Sequence, residues 1–486
     1  VTELTNKLLP ESFIDFIRPH LPSNQTLEAF VEYCHRPLRK SIRVNTLKIT
    51  VPDFVSQVTE KGWQLQPIPW CDTGFWLTRP EQEEKSLALG NTFEHLSGLF
   101  YVQEASSMLP PVALLFNSQT PQLALDLAAA PGSKTTQLAA LMANQGLLVA
   151  NEFSSSRIKG LFSNIQRCGV ANVALTHMDG RLLGHLEETF DSILLDAPCS
   201  GEGTVRKDPD AMKNWTEQSV HDIADTQFDL ICAAFRALKI GGEMVYSTCT
   251  LNPFENQNIC FKLQQEFGEA VTFLPLADLF PGAADCMTED GFLHVWPQIY
   301  DSEGFFVAKI KKTASVNPND QENPFKRLGK FPFSHTKQKQ ANEFQSFLTK
   351  QFNFSQLPLD NLYSRNNELW YFPTNIEKLA GKIKLDRIGV RLAEAHKSGF
   401  KLDHSLAITF GHLFSKQVIK LNTENAKSYL MGQDIRLTEQ ELPKELGKGE
   451  VIMMYKDQVI GLAKNLGNRI KNQLPRELVK DNLHNI

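Results

Sequence analysis

Apolar and polar positions change rhythm three times along this chain. In LLPESFIDFIRPHLP and LEAFVEYCHRPL the apolar residues recur at helical spacing, which predicts two short helices near the N-terminus. SIRVNTLKI and the end of WQLQPIPW alternate instead, as strands with one buried face do. From about residue 99 the texture becomes strand and helix in turn. QLALDLAA, GLLVANEF, ANVALTHMD, DSILLDAP and GEMVYSTCT read as buried strands, and TTQLAALMAN and SSSRIKGLFSNIQRCG as helices between them. Strands that are apolar throughout, divided by helices of this length, predict an α/β fold with a parallel sheet covered on both faces. GFFVAKIKK, Gly304 to Lys312, is the last predicted strand of this series. The following TASVNPNDQENPFKRLGKFPFSHTK loses periodicity and reads as a linker. Beyond it, SLAITFGHL and EVIMMYKDQVIGLAKNL predict one or two small further domains. The expected division is 1–98, 99–313, 314–337 and 338–486, with no internal repeat.

A length of 486 residues fits several domains rather than one core. Hydrophobic content of 42% and charged content of 22% are those of a soluble globular protein. No apolar run is long enough for a membrane span, and VTELTNKLLPESF lacks a basic-then-apolar signal pattern, so a cytoplasmic protein is expected. The net charge of -5 leaves nucleic-acid binding to local basic patches. His35 to Lys48 and Lys464 to Lys480 are the two candidates; the plainer alternative for each is a solvated face. Eight scattered cysteines without a CxxC pair point to neither a zinc site nor a secreted disulfide framework.

In an open parallel sheet, ligands bind beyond the C-terminal strand edge. LALDLAAAPGSKTTQ places Asp126 at such an edge, followed by a turn of small residues. Ala128, Ala129, Ala130 and Gly132 would let a ligand approach the backbone, and Lys134 with the helix N-terminus could receive a carboxylate. The turn is neither GxGxxG nor GxxxxGK[ST], which disfavours nicotinamide cofactors and nucleoside triphosphates. Glu152 ends the second strand, suited to both ribose hydroxyls, and Asp179 ends the third, suited to an adenine amino group. Adenosine with a carboxylate tail describes S-adenosylmethionine. The plainer alternative is that each acid caps the next helix.

Asp196 and Cys199 close the fourth strand, and Cys249 closes the fifth. If those strands are neighbours, both thiols overhang one cleft. A thiolate adding to carbon-6 of cytosine would make carbon-5 nucleophilic toward a sulfonium methyl group. Asp196 could then hold the ring nitrogen or exocyclic amine. Such a thiol needs a lowered pKa, for which Arg206, Lys207 or a helix N-terminus are the candidates. The residues alone leave open which cysteine attacks.

YVQEASSMLP, DLAAAPGSKT, DAPCSGEG and STCTLNPFEN together resemble the motifs of the RsmB/NOP family, which are S-adenosylmethionine-dependent RNA 5-methylcytosine methyltransferases. The resemblance covers about residues 30 to 313 and implies a Rossmann-like methyltransferase core. It implies that Cys249 is the nucleophile and that Cys199 assists release of methylated RNA. It also implies S-adenosylmethionine contacts from Leu127, Ala128, Ala129, Ala130, Pro131, Gly132, Ser133 and Lys134, with Glu152, Asp179 and Asp196. The first motif carries Ala where the family often has Cys, at a position that offers mainly backbone. The flanking segments look like those of members acting on cytosine 1407 of 16S ribosomal RNA. They imply an RRM-like N-terminal RNA-binding module, a C-terminal RNA-binding region with a PUA-like domain, and the 30S subunit as partner, with the enzyme a monomer and no metal. The alternatives are the same chemistry on another ribosomal or transfer RNA cytosine, or a non-catalytic ribosome-assembly protein. An amino-methylating enzyme would more naturally show Asn/Asp-Pro-Pro-aromatic than DAPC.

Overall fold

The computed structural model describes residues 8–480 except 319–321, 324, 326, 327, 329, 330, 398, 439–441 and 444. The two N-terminal helices form as the spacing predicts, α1 at Glu11–Ile17 and α2 at Leu27–Cys34. Thr26 caps α2 by accepting from the Ala29 N–H. Their apolar faces do not build a module of their own. Phe13, Ile17, Phe30 and Cys34 pack with Val205, Met212, Leu251 and Trp296 of the central unit.

A four-stranded antiparallel sheet follows, in the order β2 (Gln64–Ile68), β3 (Cys71–Thr78), β1 (Ser41–Val44), β4 (Phe100–Val102). Helix α3 (Val51–Thr59) buries Phe54 and Val58 against it. This sheet divides the basic run from His35 to Lys48: His35, Arg36 and Lys40 stay exposed, and Arg43 does not. Arg43 is buried and donates to Gln103, the Ser133 carbonyl and Thr136. Arg39 pairs with Asp301, Lys40 with Glu84, and Lys48 donates to the Ser97 carbonyl. The alternation along SIRV puts a guanidinium inside, where it ties the N-terminal sheet to the central unit.

The central sheet runs β10 (Val271–Leu274), β12 (Phe305–Lys312), β9 (Leu238–Thr248), β8 (Phe190–Asp196), β5 (Leu123–Asp126), β6 (Leu147–Asn151), β7 (Val173–Thr176). The pairs β9–β8, β8–β5, β5–β6 and β6–β7 are parallel, as their uninterrupted burial requires. Helices α4 (Ser133–Leu141) and α5 (Arg157–Arg167) cover one face. Helices α6 (Glu217–Ala237) and α7 (Gln257–Phe267) cover the other. The all-parallel expectation fails at the margins. β12 inserts antiparallel between β9 and β10, and β11 (Leu293–Val295) pairs antiparallel with β12. Burial on both faces makes GFFVAKIKK look like any central strand; it carries no sign of direction.

After the linker, β13 (Ser334–His335), β14 (Leu362–Arg365), β15 (Glu368–Tyr371), β17 (Val390–His396) and β18 (Gly399–Leu402) form an antiparallel sheet. The helix α8 (Gln338–Phe352) buries Phe344 and Leu348 beside it. The two-residue β16 (Arg387–Ile388) leaves this unit and pairs with β7, extending the central sheet. SLAITFGHL, uncertain in sequence, becomes the helix α9 (His404–Phe410), capped by Asp403. The last sheet runs β19 (Val418–Lys420), β20 (Gly449–Tyr455), β21 (Gln458–Asn465), β22 (Ile470–Asn472). α10 (Thr423–Leu430) packs Ala426 and Tyr429 into its core. Among the described residues no helix is long and apolar enough to cross a membrane.

Candidate active site

Strand order reverses between β5 and β8, so the loops leaving their C-terminal ends diverge and open a crevice. A cleft of about 410 Å³ occupies that point. Leu127, Ala128, Ala130, Glu152, Asp179, Asp196, Cys199 and Cys249 all line it. Ala129, Pro131, Gly132, Ser133 and Lys134 are not among its lining residues. Gly132 has φ 105°, and a Cβ there would lie 2.9 Å from Leu161 Cδ1, so the turn needs glycine both for its backbone and for the approach of α5.

The strand-end acids divide their duties. Glu152 is buried and accepts from the Ala130 and Ser154 backbone N–H groups, which fixes the small-residue turn over the cleft. Asp179 accepts from the Arg181 N–H and is paired with the Arg181 guanidinium, which holds its carboxyl below the usual range. Asp126 is wholly buried, accepts from Thr135 Oγ1 at 2.6 Å, and has no partner for its second oxygen. Burial pushes its pKa up to about 7. Sequence reasoning missed Asn151, whose amide donates to the Leu127 and Met178 carbonyls and accepts from the Met178 N–H, latching three strand ends together. It also missed Phe153, which is 72% exposed at the cleft. An exposed aromatic after a strand-end acid was the available signal.

This lining fits S-adenosylmethionine. The volume is of small-molecule size, Ala128, Ala130 and Gly180 line it with small residues, and apolar walls come from Leu127, Phe153 and Leu230. Glu152 and Asp179 supply acceptors at successive strand ends.

Lys134 lies elsewhere than the sequence suggested. Its ammonium donates to Asp196 Oδ2 at 2.6 Å and to Ser107 Oγ at 3.0 Å. It is therefore bound to the β8 carboxylate rather than held for a ligand carboxylate at the helix N-terminus. The other Asp196 oxygen accepts from Ser247 Oγ.

The parallel pairing of Asp196 with Ser247 brings the two cysteine loops side by side. Cys199 Sγ and Cys249 Sγ lie 3.2 Å apart. They are the half-buried cysteines; the other six are buried. The hydrogen bond to Cys249 and then burial push the Cys199 thiol well up, and either sulfur can be the donor in the contact between them. Arg206, a candidate for lowering a thiol pKa, is spent elsewhere: it donates to the Arg36, Pro37 and Ser302 carbonyls and pairs with Asp301.

Two buried glutamates hold these loops. Glu202 accepts from the Leu251 and Asn252 N–H groups, Thr250 Oγ1 and Trp215 Nε1. Glu255 accepts from the Ser200 N–H, Gln227 and Asn252. A Cβ at Gly203 would lie 2.5 Å from the Gly304 oxygen and 2.8 Å from the Cys249 oxygen, so only glycine lets the three segments touch.

The strand order and the strand-edge cleft are those of an S-adenosylmethionine-dependent methyltransferase, and the chain is one. Residues 113–311 match 16S rRNA methyltransferase RsmB/F, and residues 9–105 match the N-terminal domain of 16S rRNA methyltransferase RsmF. Over 478 residues the chain is 55% identical to ribosomal RNA small subunit methyltransferase F of Aliivibrio fischeri (strain ATCC 700601 / ES114), covering 98% of each. The chain belongs to the ribosomal RNA small subunit methyltransferase F (RsmF) family. Residues 333–410 match that family's pre-PUA domain and 416–480 its PUA domain. The protein of the same name from Aeromonas salmonicida (strain A449) is 53% identical over 480 residues, with 98% of each chain covered. A solved methyltransferase homolog protein from Pyrococcus horikoshii superimposes with a TM-score of 0.55 at 35% identity, covering 64% of this chain and 99% of that one. NSun6 from the same organism, solved with SFG, shares the fold at 23% identity and a TM-score of 0.55, covering 64% of this chain and all of that one.

Proposed function

We propose that this enzyme methylates carbon-5 of a cytosine in 16S ribosomal RNA, with cytosine 1407 the expected target. The reading rests above all on the Cys199–Cys249 pair, whose sulfurs lie 3.2 Å apart and both line the donor cleft. The RsmF relatives support the RNA class.

Cys249 Sγ adds to carbon-6 of the cytosine, and the electrons of the carbon-5–carbon-6 double bond become available at carbon-5. Bound S-adenosylmethionine supplies the methyl group that carbon-5 takes up. Asp196 accepts from the exocyclic amine, while the Lys134 ammonium steadies that carboxylate and the electron density moving onto the ring. A base then removes the carbon-5 proton, the carbon-6–sulfur bond breaks, and the double bond returns. Cys199, within hydrogen-bond reach of that sulfur, donates its own thiol proton to the departing Cys249 thiolate and so helps the product leave, then regains a proton from solvent. Glu152, Asp179 and the turn from Leu127 to Gly132 hold the donor. The N-terminal sheet and the pre-PUA and PUA units contact RNA, within the assembled 30S subunit and in the cytoplasm.

Cys249→Ala is expected to bind S-adenosylmethionine normally, by calorimetry, and to transfer no methyl group to 30S subunits. Turnover near that of the parent would remove Cys249 from the mechanism. Bisulfite sequencing of ribosomal RNA from cells with and without the gene names the nucleotide.

A further inference from the structure

A second cavity, of about 170 Å³, lies where four parts of the chain meet, on the other side of α5 from the donor cleft. Lys48 enters from the N-terminal sheet, Arg167 from the end of α5, His404 from the start of α9, and Lys480 from the end of the PUA unit. No Asp or Glu lines it. Lys48, Arg167 and Lys480 form no ion pair with a carboxylate among the described residues.

The Lys48 side chain runs beside two glycines: a Cβ at Gly98 would collide with the Arg167 carbonyl oxygen and lie 3.2 Å from Lys48 Nζ, and one at Gly169 would lie 3.2 Å from Lys48 Cε. Its ammonium gives one hydrogen bond, to the Ser97 carbonyl, and has donors to spare. Burial and the neighbouring Arg167 push its pKa down to about 8. His404 is 8% exposed, and neither ring nitrogen has a partner. Burial and then Lys48 lower its pKa to about 4, so it is neutral and offers one N–H donor. Arg167 donates to the His95 and Phe100 carbonyls and to Asn164, with the remaining guanidinium hydrogens unassigned. Three half-buried cations face one cavity without a counter-charge and repel one another, beside a buried imidazole whose nitrogens are unpartnered.

We propose that this junction is a binding site for a phosphate-type oxyanion, held by Lys48, Arg167, His404 and Lys480. One tetrahedral anion would accept from all four groups and join segments that the sequence separates by more than four hundred residues. The anion is either free inorganic phosphate or a phosphate carried by RNA.

The test is calorimetric titration of the full-length protein with inorganic phosphate, with chloride balancing ionic strength. Saturable binding of one phosphate per chain is expected. Lys480→Ala, at the least enclosed position, should weaken it about tenfold or more, the loss of one charge-assisted hydrogen bond. Lys48→Met should abolish it, with circular dichroism confirming that the variant is folded. Absence of saturable heat in the parent, or equal affinity in parent and folded variants, overturns the proposal. A dinucleotide with a 5′-phosphate then separates the sources. If it displaces phosphate while its unphosphorylated form does not, the anion is RNA-borne; if neither displaces it, the site takes the free ion.

Discussion

At the scale of single residues, the contact between the Cys199 and Cys249 sulfurs at 3.2 Å is the feature from which most follows. Cys199→Ala removes the partner needed for release but not the attacking sulfur. It is expected to accumulate protein covalently linked to RNA, seen as a retarded band on a denaturing gel. A variant that loses activity without such a band would make Cys199 the attacker. Asp126 gives a pH prediction. Its pKa of about 7 in the folded chain stands above the ordinary 3.8. Below both values the two states carry the same proton. As pH rises between them, the unfolded chain releases it and the native chain does not, so stability falls and the loss is complete above about 7. At about 1.4 kcal/mol per pKa unit the ceiling is about 4 kcal/mol. Asp126→Asn removes that slope. Urea unfolding at acid and at mildly alkaline pH should show the variant gaining on its parent as pH rises; a constant difference would contradict the assignment.

At the scale of elements, the site depends on loops held against strand ends. Glycine at 132 allows a positive φ and the close approach of α5. Gly132→Ala should lower stability by at least about 1 kcal/mol and weaken S-adenosylmethionine binding, both measurable on purified protein. An unchanged donor affinity would show that the turn shifts without disturbing the cleft. The Glu202 and Glu255 carboxylates fix the loops bearing the cysteines through five backbone and side-chain amides and a hydroxyl. Glu255→Ala leaves the Ser200 N–H without its acceptor, at about 1–3 kcal/mol for a buried group, while Gln227 keeps the Pro198 carbonyl and Asn252 keeps Glu202. Its expected effect is a fall in kcat with donor affinity largely kept, because Glu255 anchors the thiol loops and not the turn after β5.

At the scale of the whole molecule, β16 joins the pre-PUA region to the free edge of β7, and Ile376, Leu379, Ile383 and Ile388 enter the main core. A chain ending near residue 332 would expose that edge and the apolar face those residues cover. Such edges pair with other chains. The shortened protein is expected to melt at lower temperature and to associate in sedimentation experiments. A monomer with the parent melting temperature would show the central unit to be self-sufficient.

The strands carrying the site were legible because their apolar runs end in polar residues at a regular spacing, and DLAAAPG, DAPCSGEG and STCTLNPFEN mark those ends. Adjacency of β8 and β9 was an inference from alternation, and their pairing made it a 3.2 Å contact between sulfurs. The basic run from His35 to Lys48 misled because a list of charges does not say which side of a strand faces water. Arg43 turned inward and Lys48 was enclosed. The direction of β12, the union of β16 with the central sheet and the cationic junction were equally invisible. Each depends on contacts between segments far apart in the chain. Local pattern thus determined the elements, the chemistry at their ends and the family resemblance. Tertiary structure decided strand direction, the surroundings of the buried charges and the contact between the two thiols, because desolvation and hydrogen bonding act only once distant groups have been brought together.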